Sequence, residues 1–441
     1  MTNAGQAPAP ASAAGPSSLE DELRSWLAEH WDPDLTVRAW WRRLAEGRWS
    51  AVNWPVEWFG RGLGRADAAT VDRVLREAGT VALPGGAGIV MLGPTILDHG
   101  DDEQRARLLP PILEGRVNYC QLFSEPGSGS DLPSLATRAE RDGDEWVVTG
   151  QKVWTSGAES ADHGILLART NPDVAKHAGI SYFAFDLDQP GVDIRPLKEM
   201  TGRDFFCEVF LDGARVHQRD LIGGEGKGWA AANTTLFHER NLSAGDGPRW
   251  SARAGSRGDL DRRAGDLAPP TPTATNTTTA PARQSTSQRL AGLAGANGRS
   301  RHPVVRQDLA RLHTLEQLNT WTAQRARAAA AAGSELPGSP NIAKMLASHA
   351  SRLGRALTFD VLGAHGTLHA YSEDGAEQLA ATSGIADHAD LVEQALFATA
   401  APIYGGSDQI QRNIVGERVL GLAREPDPFK GVPFREVPRS H

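Results

Sequence analysis

The amino-acid sequence predicts an α+β protein whose helices and strands fall into separate domains. Three observations predict it. Helical spacing of apolar residues runs from Ser18 to about residue 118, strand-like runs follow to about residue 222, and helical spacing returns from Gly226. Segregated runs of this kind build separate α and β units, whereas alternation would build a parallel α/β sheet. A chain of 441 residues is long enough for two or three such units.

Residues 1–17 are rich in Ala and Pro, lack the basic start and apolar core of a signal peptide, and read as a disordered tail. The N-terminal all-α domain is expected over 18–118. Ser18 followed by Glu20, Asp21 and Glu22 is a helix cap with acids that offset the helix dipole. Further helices are expected at 69–78 and 101–113, the second broken or kinked at Pro110 and Pro111. The β domain is expected over 119–225, with strands at 145–150, 164–169, 180–186 and 205–211 and a hairpin turn at Asp142-Gly143. The C-terminal helical domain is expected over 226–424, with helices at 229–244, 304–332, 341–362, 375–379, 387–398 and 408–422. Residues 245–300 interrupt it with a run rich in Pro, Thr, Gly and Arg, which reads as a mostly disordered insertion with room for short helices. Residues 425–441 read as a C-terminal tail.

Composition excludes several classes. Apolar residues make up 40% and charged residues 23%, as in ordinary globular domains. A net charge of −8 with both signs interspersed is unlike the basic stripe of a nucleic-acid binder. The two cysteines, Cys120 and Cys207, give neither a disulfide framework nor zinc-site spacing, so no metal is expected and a reducing cytoplasm fits. No apolar run reaches the length of a membrane span.

Three segments carry chemistry. Gln121-Leu-Phe-Ser-Glu-Pro-Gly-Ser-Gly-Ser-Asp131 is a glycine and hydroxyl loop whose backbone amides can approach an anion or a ring edge. It is neither a Walker loop nor a dinucleotide fingerprint, and a decorated turn explains it equally well on local grounds. Gly150-Gln-Lys-Val-Trp-Thr-Ser-Gly157 places an aromatic and two hydroxyls at a strand end, fit either to stack on a flat ring or to close a core. Pro402-Ile-Tyr-Gly-Gly-Ser-Asp-Gln409 puts a glycine turn and a capping serine before a helix.

Together, in this order, the three segments resemble the acyl-CoA dehydrogenase family over about residues 19–427, apart from the insertion. Residues 93–105, 109–113 and Met200-Thr-Gly202 support the resemblance. It implies an N-terminal helical domain, a central β-barrel-like domain and a C-terminal four-helix-bundle domain. It implies FAD, with Gln121, Phe123, Ser124, Gly129 and Ser130 in the first segment and Trp154, Thr155 and Ser156 in the second at flavin-contacting positions. Asp360, Leu362 and Gly363 match a segment that reaches a neighbouring subunit's FAD, and Ser407 and Gln409 match positions near the diphosphate and adenosine. Ser130, Arg240 and Gly406 match positions near the thioester or CoA. The implied partners are an acyl-CoA substrate, an electron-transfer flavoprotein as acceptor, and further copies in a homodimer or homotetramer or a paralogue in a hetero-oligomer.

The chain departs from the family's commonest pattern at the base. Many relatives carry glutamate where this chain has Gly405; some place the base in a Glu-Arg pair on the first helix of the C-terminal domain, where this chain has Phe237-His238-Glu239-Arg240. Glu239 is therefore the expected catalytic base, with His238 as the lesser candidate and an Arg-paired structural carboxylate as the bland alternative. No clean Arg-x-Phe-Gly follows to hold the adenosine of FAD. Two other readings stay open: a flavin oxidase or monooxygenase on the same scaffold, and a non-catalytic subunit of a mixed complex.

Overall fold

The computed structural model describes residues 18–243, 252–268, 284–334 and 336–438, so the expected N-terminal tail lies outside the described residues. The N-terminal domain holds α1 (Leu19–His30), α2 (Val37–Glu46), α3 (Arg65–Glu77), α4 (Gly93–His99) and α5 (Asp102–Leu113). Ser18 caps α1 in a reciprocal box with Asp21, which satisfies two otherwise orphan backbone donors. Trp40, Trp41 and Trp49 are fully buried and form the centre of this domain with Leu23, Leu44 and Leu75. Pro110 and Pro111 sit inside the last turn of α5 rather than breaking it. They remove the N–H groups that would bond the carbonyls of Ala106 and Arg107, a loss confined to the final turn, and their own carbonyls accept from Glu114 (3.0 Å) and Arg116 (2.9 Å).

The β domain follows as β1 (Tyr119–Leu122), β2 (Arg138–Asp142), β3 (Glu145–Ser156), β4 (His163–Arg169), β5 (Ile180–Asp186), β6 (Val192–Leu197), β7 (Phe206–His217) and β8 (Leu221–Ile222). They form one sheet in the order β6-β7-β3-β2-β4-β5-β8, with β1 paired to β4. The expected hairpin at Asp142-Gly143 joins β2 to β3, with Gly143 at φ 68°. Alternate residues of β4 and β5 face opposite ways. Ile165, Leu167, Ile180 and Tyr182 pack toward the N-terminal helices and α6 (Gly228–Ser243). Leu166, Phe183 and Phe185 pack into the sheet's own core with Trp146 and Val148.

The C-terminal domain continues with α7 (Ala264–Leu267), α8 (Thr286–Ala296), α9 (Pro303–Ala331), α10 (Ser339–Leu362), α11 (Glu373–Ser383), α12 (His388–Phe397) and α13 (Asp408–Ile414). Helices α8, α9, α10 and α12 meet around Leu290, Leu312, Leu357, Val361 and Leu391. The last helix turns π-helical over Val415–Val419 instead of running on to 422.

The insertion is a correction. Residues 252–268 are ordered and packed, and the stretch expected to be mostly disordered up to 300 contains α8; residues 244–251 and 269–283 lie outside the described residues. The backbone of 260–264 runs beside α2's start: Arg38 N–H donates to Leu260 O (2.8 Å), Val37 N–H to Arg262 O (3.0 Å) and Ala264 N–H to Leu35 O (2.7 Å). Ala252, Ala254, Leu260 and Ala264 are buried in the tryptophan core. Further along, Ser256 bonds the Asp162 carboxylate and Arg257 donates to Glu159 O (2.9 Å), so the segment spans from the helical domain to the β domain. Average composition missed it because its few apolar residues are buried in a core made elsewhere in the chain. Leu260→Ala is expected to cost about 2–5 kcal/mol, read as a lower denaturant midpoint for the N-terminal domain, against less than about 0.5 kcal/mol for an unpacked loop.

Candidate active site

The first motif leaves β1 and turns at once. Glu125 and Ser128 exchange two backbone hydrogen bonds (2.9 and 3.0 Å). Ser128 is buried and its hydroxyl donates to Asp131 O (2.9 Å) and Leu132 O (3.1 Å), so it holds the loop's shape. Gly129 and Ser130 are exposed at the tip, and a side chain at Gly129 would meet nothing within 4 Å. Beneath the loop lies a buried ion pair. Lys152 Nζ donates to Glu125 (2.8 Å) and to Phe123 O (3.2 Å), and Glu125 also accepts from the Ala136 (2.6 Å) and Thr137 (2.9 Å) N–H groups. Burial works to raise the Glu125 pKa, but the lysine's charge and these donors outweigh it and hold the carboxyl below its ordinary range.

The second motif lies against the first, since Val153 N–H donates to Ser124 O (2.9 Å). The pairing of β3 with β7 breaks between Lys152 and Thr155, and Trp154 takes the left-handed conformation at φ 59°. Few bulky residues tolerate that conformation, and it turns the indole outward. The ring is 58% exposed and stands edge-on to Phe206 at 5.8 Å. Beside it, Thr155 is fully buried, and its hydroxyl has no hydrogen-bond partner among the described residues. A buried hydroxyl without a partner is costly unless a ligand completes it. An exposed aromatic face, an unfilled hydroxyl and the exposed Ser156 fit the edge of a flat heteroaromatic ring.

Helix α6 supplies the carboxylate. It is fixed by a chain of hydroxyls at Thr235, which bonds Thr95 (2.8 Å) and Tyr182 (2.9 Å), while Thr234 bonds His99 (2.8 Å). Glu239 lies one turn beyond Thr235 on the same face. Gln121 Nε2 donates to the Glu239 carboxylate at 3.4 Å, which joins the first motif to the expected base. Burial pushes the Glu239 pKa above the ordinary carboxylate range, opposed by Gln121's hydrogen bond and the charge of the adjacent, half-buried Arg240. His238 is also partly buried, and desolvation lowers its pKa.

The remaining candidates sit on the C-terminal bundle. Ser407 caps α13 by accepting from Ile410 N–H (3.4 Å). Gln411 braces the turn before it, donating to Gly405 O (2.8 Å) and Gly406 O (3.2 Å) while accepting from Asn341 (2.6 Å). Gly405 and Gly406 have φ of 63° and 81°, and a side chain at Gly405 would enter open space. Asp408 is buried between Lys344 (3.0 Å) and Arg352 (3.2 Å), leaving Gln409 exposed. Asp360 is exposed, whereas Leu362 is buried inside its own chain; Gly363, at φ 59°, has the Arg299 guanidinium beside it. The bundle meets the β domain where His369 bonds Thr201 O (2.9 Å), Tyr371 packs on Gly202, and Arg203 pairs with Glu393.

The structure thus joins Gln121 with Glu239 and Ser124 with the Trp154 turn. Lys152, Glu125, Thr235 and Arg299 were missed from the sequence. Lys152 had a signal, because it shares strand parity with the buried Trp146 and Val148. Arg299 fell inside the stretch read as disordered.

Models of the acyl-CoA dehydrogenase N-terminal, middle and C-terminal domains match residues 17–116, 120–214 and 285–420. The acyl-CoA dehydrogenase IpdE1 of Mycobacterium tuberculosis is 35% identical over 427 residues, which cover 92% of this chain and 97% of that protein. The chain belongs to the acyl-CoA dehydrogenase family. It is accordingly an oxidoreductase acting on a CH–CH bond, in a family of flavoproteins. IpdE1 of Mycolicibacterium smegmatis is 34% identical over 92% of this chain and 97% of that protein. Two solved structures agree. The steroid ACAD Tcur3481-Tcur3483 aligns with TM-score 0.63 and 26% identity over 92% of this chain and 97% of its own. The ChsE4-ChsE5 complex of Mycobacterium tuberculosis aligns with TM-score 0.62 and 25% identity over 94% of this chain and 100% of its own.

Breaking the buried pair with Lys152→Met strands Glu125 without its cation. The β domain of this acyl-CoA dehydrogenase family member should then lose about 3–5 kcal/mol, read from its urea midpoint.

Proposed function

We propose that this chain catalyses the FAD-dependent α,β-dehydrogenation of an acyl-CoA thioester, with Glu239 as the base. The carrying observation is Glu239 itself, an acid on α6 with raised pKa, touching the flavin motif through Gln121. Bound against Trp154, Thr155 and Ser156, FAD would supply the hydride acceptor, leaving reoxidation to an electron-transfer flavoprotein.

The chain's own residues do the rest. Glu239 takes the proton from the α-carbon as the β-hydrogen leaves with its electron pair, and a double bond forms between the two carbons. A carboxylate in a water-poor setting is a stronger base than one in water, which suits a weakly acidic C–H. Thr155 offers the buried hydroxyl that a ring heteroatom would complete. By the family resemblance, Ser130 and Arg240 would offer a thioester and its CoA a donor and a cation. On the ligand side, one solved relative named as a steroid ACAD favours a CoA thioester carried on a bulky, ring-containing group.

Anaerobic flavin bleaching by octanoyl-CoA, palmitoyl-CoA and choloyl-CoA tests the reading. Glu239→Gln should match the wild type's flavin content and bleach about 10²–10⁴-fold more slowly. The wild-type rate should rise with pH along a limb above the ordinary glutamate range, because only the deprotonated carboxyl accepts the proton. A Glu239→Gln variant that bleaches at the wild-type rate would sink the assignment.

A second reading concerns assembly. Tcur3481-Tcur3483 and ChsE4-ChsE5 are each named as two chains of this fold, and here Gly405 offers no carboxylate. We infer that this chain pairs with a paralogue. Purified alone it should hold well under one flavin per chain, rising when the two are co-expressed; full flavin occupancy in a homo-oligomer would count against it.

A further inference from the structure

The tail beyond α13 plays no part in the chemistry above. We propose that it is a latch, in which Phe434, acting through Arg169, is a positioning residue for the turn that ends the Gln121–Asp131 loop. The inference rests on that loop being where flavin and thioester bind.

The tail docks by its backbone. Residues Ala175 and Pro433 form an antiparallel bridge, Phe434 N–H donates to Val174 O (2.9 Å) and Arg435 N–H to Pro172 O (3.1 Å), and the Arg435 side chain pairs with Asp173. All of these partners lie in the connection between β4 and β5. Docking buries Phe434, 3% exposed, with its ring centroid 3.4 Å from the Arg169 guanidinium carbon. A guanidinium has a flat face for an aromatic ring and donors around its edge. Here the edge is used too. Arg169 donates to Pro133 O (2.7 Å), Leu135 O (3.1 Å) and Lys176 O (2.9 Å), and is itself buried.

Pro133 and Leu135 follow directly on Asp131, and Lys176 holds the Asp131 carboxylate (2.8 Å). The same β4–β5 connection reaches the base helix, where His177 packs edge-on to Trp229 at 5.1 Å. One arginine therefore ties the last described stretch of the chain to the end of the ligand loop. Without the ring, the guanidinium loses a packed face and the two carbonyls lose a fixed donor. Ser130, at the loop tip, would then lose its setting, whereas Gln121, Phe123 and Glu239 keep their own anchors through α6 and Lys152.

The test uses the flavin-loaded protein. Phe434→Leu removes the ring but keeps the site apolar, and Phe434→Tyr restores a ring. Amide hydrogen exchange over residues 131–137 should be at least about tenfold faster in the leucine variant and close to wild type in the tyrosine variant. With whichever of the three thioesters bleaches the wild type, KM should rise about tenfold with kcat within about twofold, the mark of lost positioning of a binding group. Unchanged exchange over 131–137, or faster exchange with KM unmoved, overturns the latch. Should the leucine variant not fold, Asp173→Ala loosens the exposed Arg435 pair alone. Faster exchange at 131–137 then supports the proposal, and no change overturns it. Failure of the functional reading looks different: no thioester bleaches the wild type, while exchange still reports on the latch.

Discussion

A lysine and a glutamate almost without access to water lie under the Gln121–Asp131 loop, and both motifs of the β domain depend on them. Lys152 belongs to the second motif and Glu125 to the first, so their ion pair is also the joint between the motifs. Burying two charges is unfavourable unless the remaining valences are filled. Most are: Phe123 O takes a second lysine donor, and the Ala136 and Thr137 N–H groups bond the glutamate. That satisfaction lets a loop of glycines and serines stand in one shape at the surface without packing of its own. It also explains how Trp154 is held left-handed. Its flanks are pinned by Val153 to Ser124 on one side and by the pairing of Thr155 with Cys207 on the other.

The proposed chemistry needs an acid and a flat acceptor on separate bodies, and the fold supplies them on a helix and a sheet. The hydroxyl chain from Thr95 through Thr235 to Tyr182 sets the rotation of α6 against β5. Since Glu239 is one turn further along the same face, that rotation decides where the carboxylate points. Gln121 then bonds it from β1. The proposed base is thus positioned from three elements, α4, β5 and β1, although it is carried by a fourth.

Much of this was legible in the sequence. The capped start at Ser18, the hairpin at Asp142-Gly143 and the order of helical and strand-like stretches are local signals, and the fold follows them. Glu239 was proposed as the base through the family resemblance, since Gly405 lacks a side chain where many relatives carry glutamate and some relatives place the base in a Glu-Arg pair like Glu239-Arg240. What stayed hidden depends on partners distant in the chain. Lys152 looks like a strand lysine until Glu125 lies beneath it. Thr235 looks like a mid-helix threonine until Tyr182 arrives. Phe434, in a Pro-rich tail, gives no local sign that Arg169 awaits it. The insertion misled for a related reason, since alanines and one leucine do not announce burial in a core built by tryptophans more than two hundred residues earlier.

That separation bears on how the chain is made. The Leu35 carbonyl and the Val37 and Arg38 N–H groups find their backbone partners in residues 260–264. As the polypeptide leaves the ribosome, the whole β domain emerges before the helical domain's tryptophan core can close. Until then one flank of that core faces water, and pairing so remote in sequence is slow to form. The N-terminal helices, cut off on their own at residue 118, would be an incomplete body, which makes the first domain in sequence among the last to be finished.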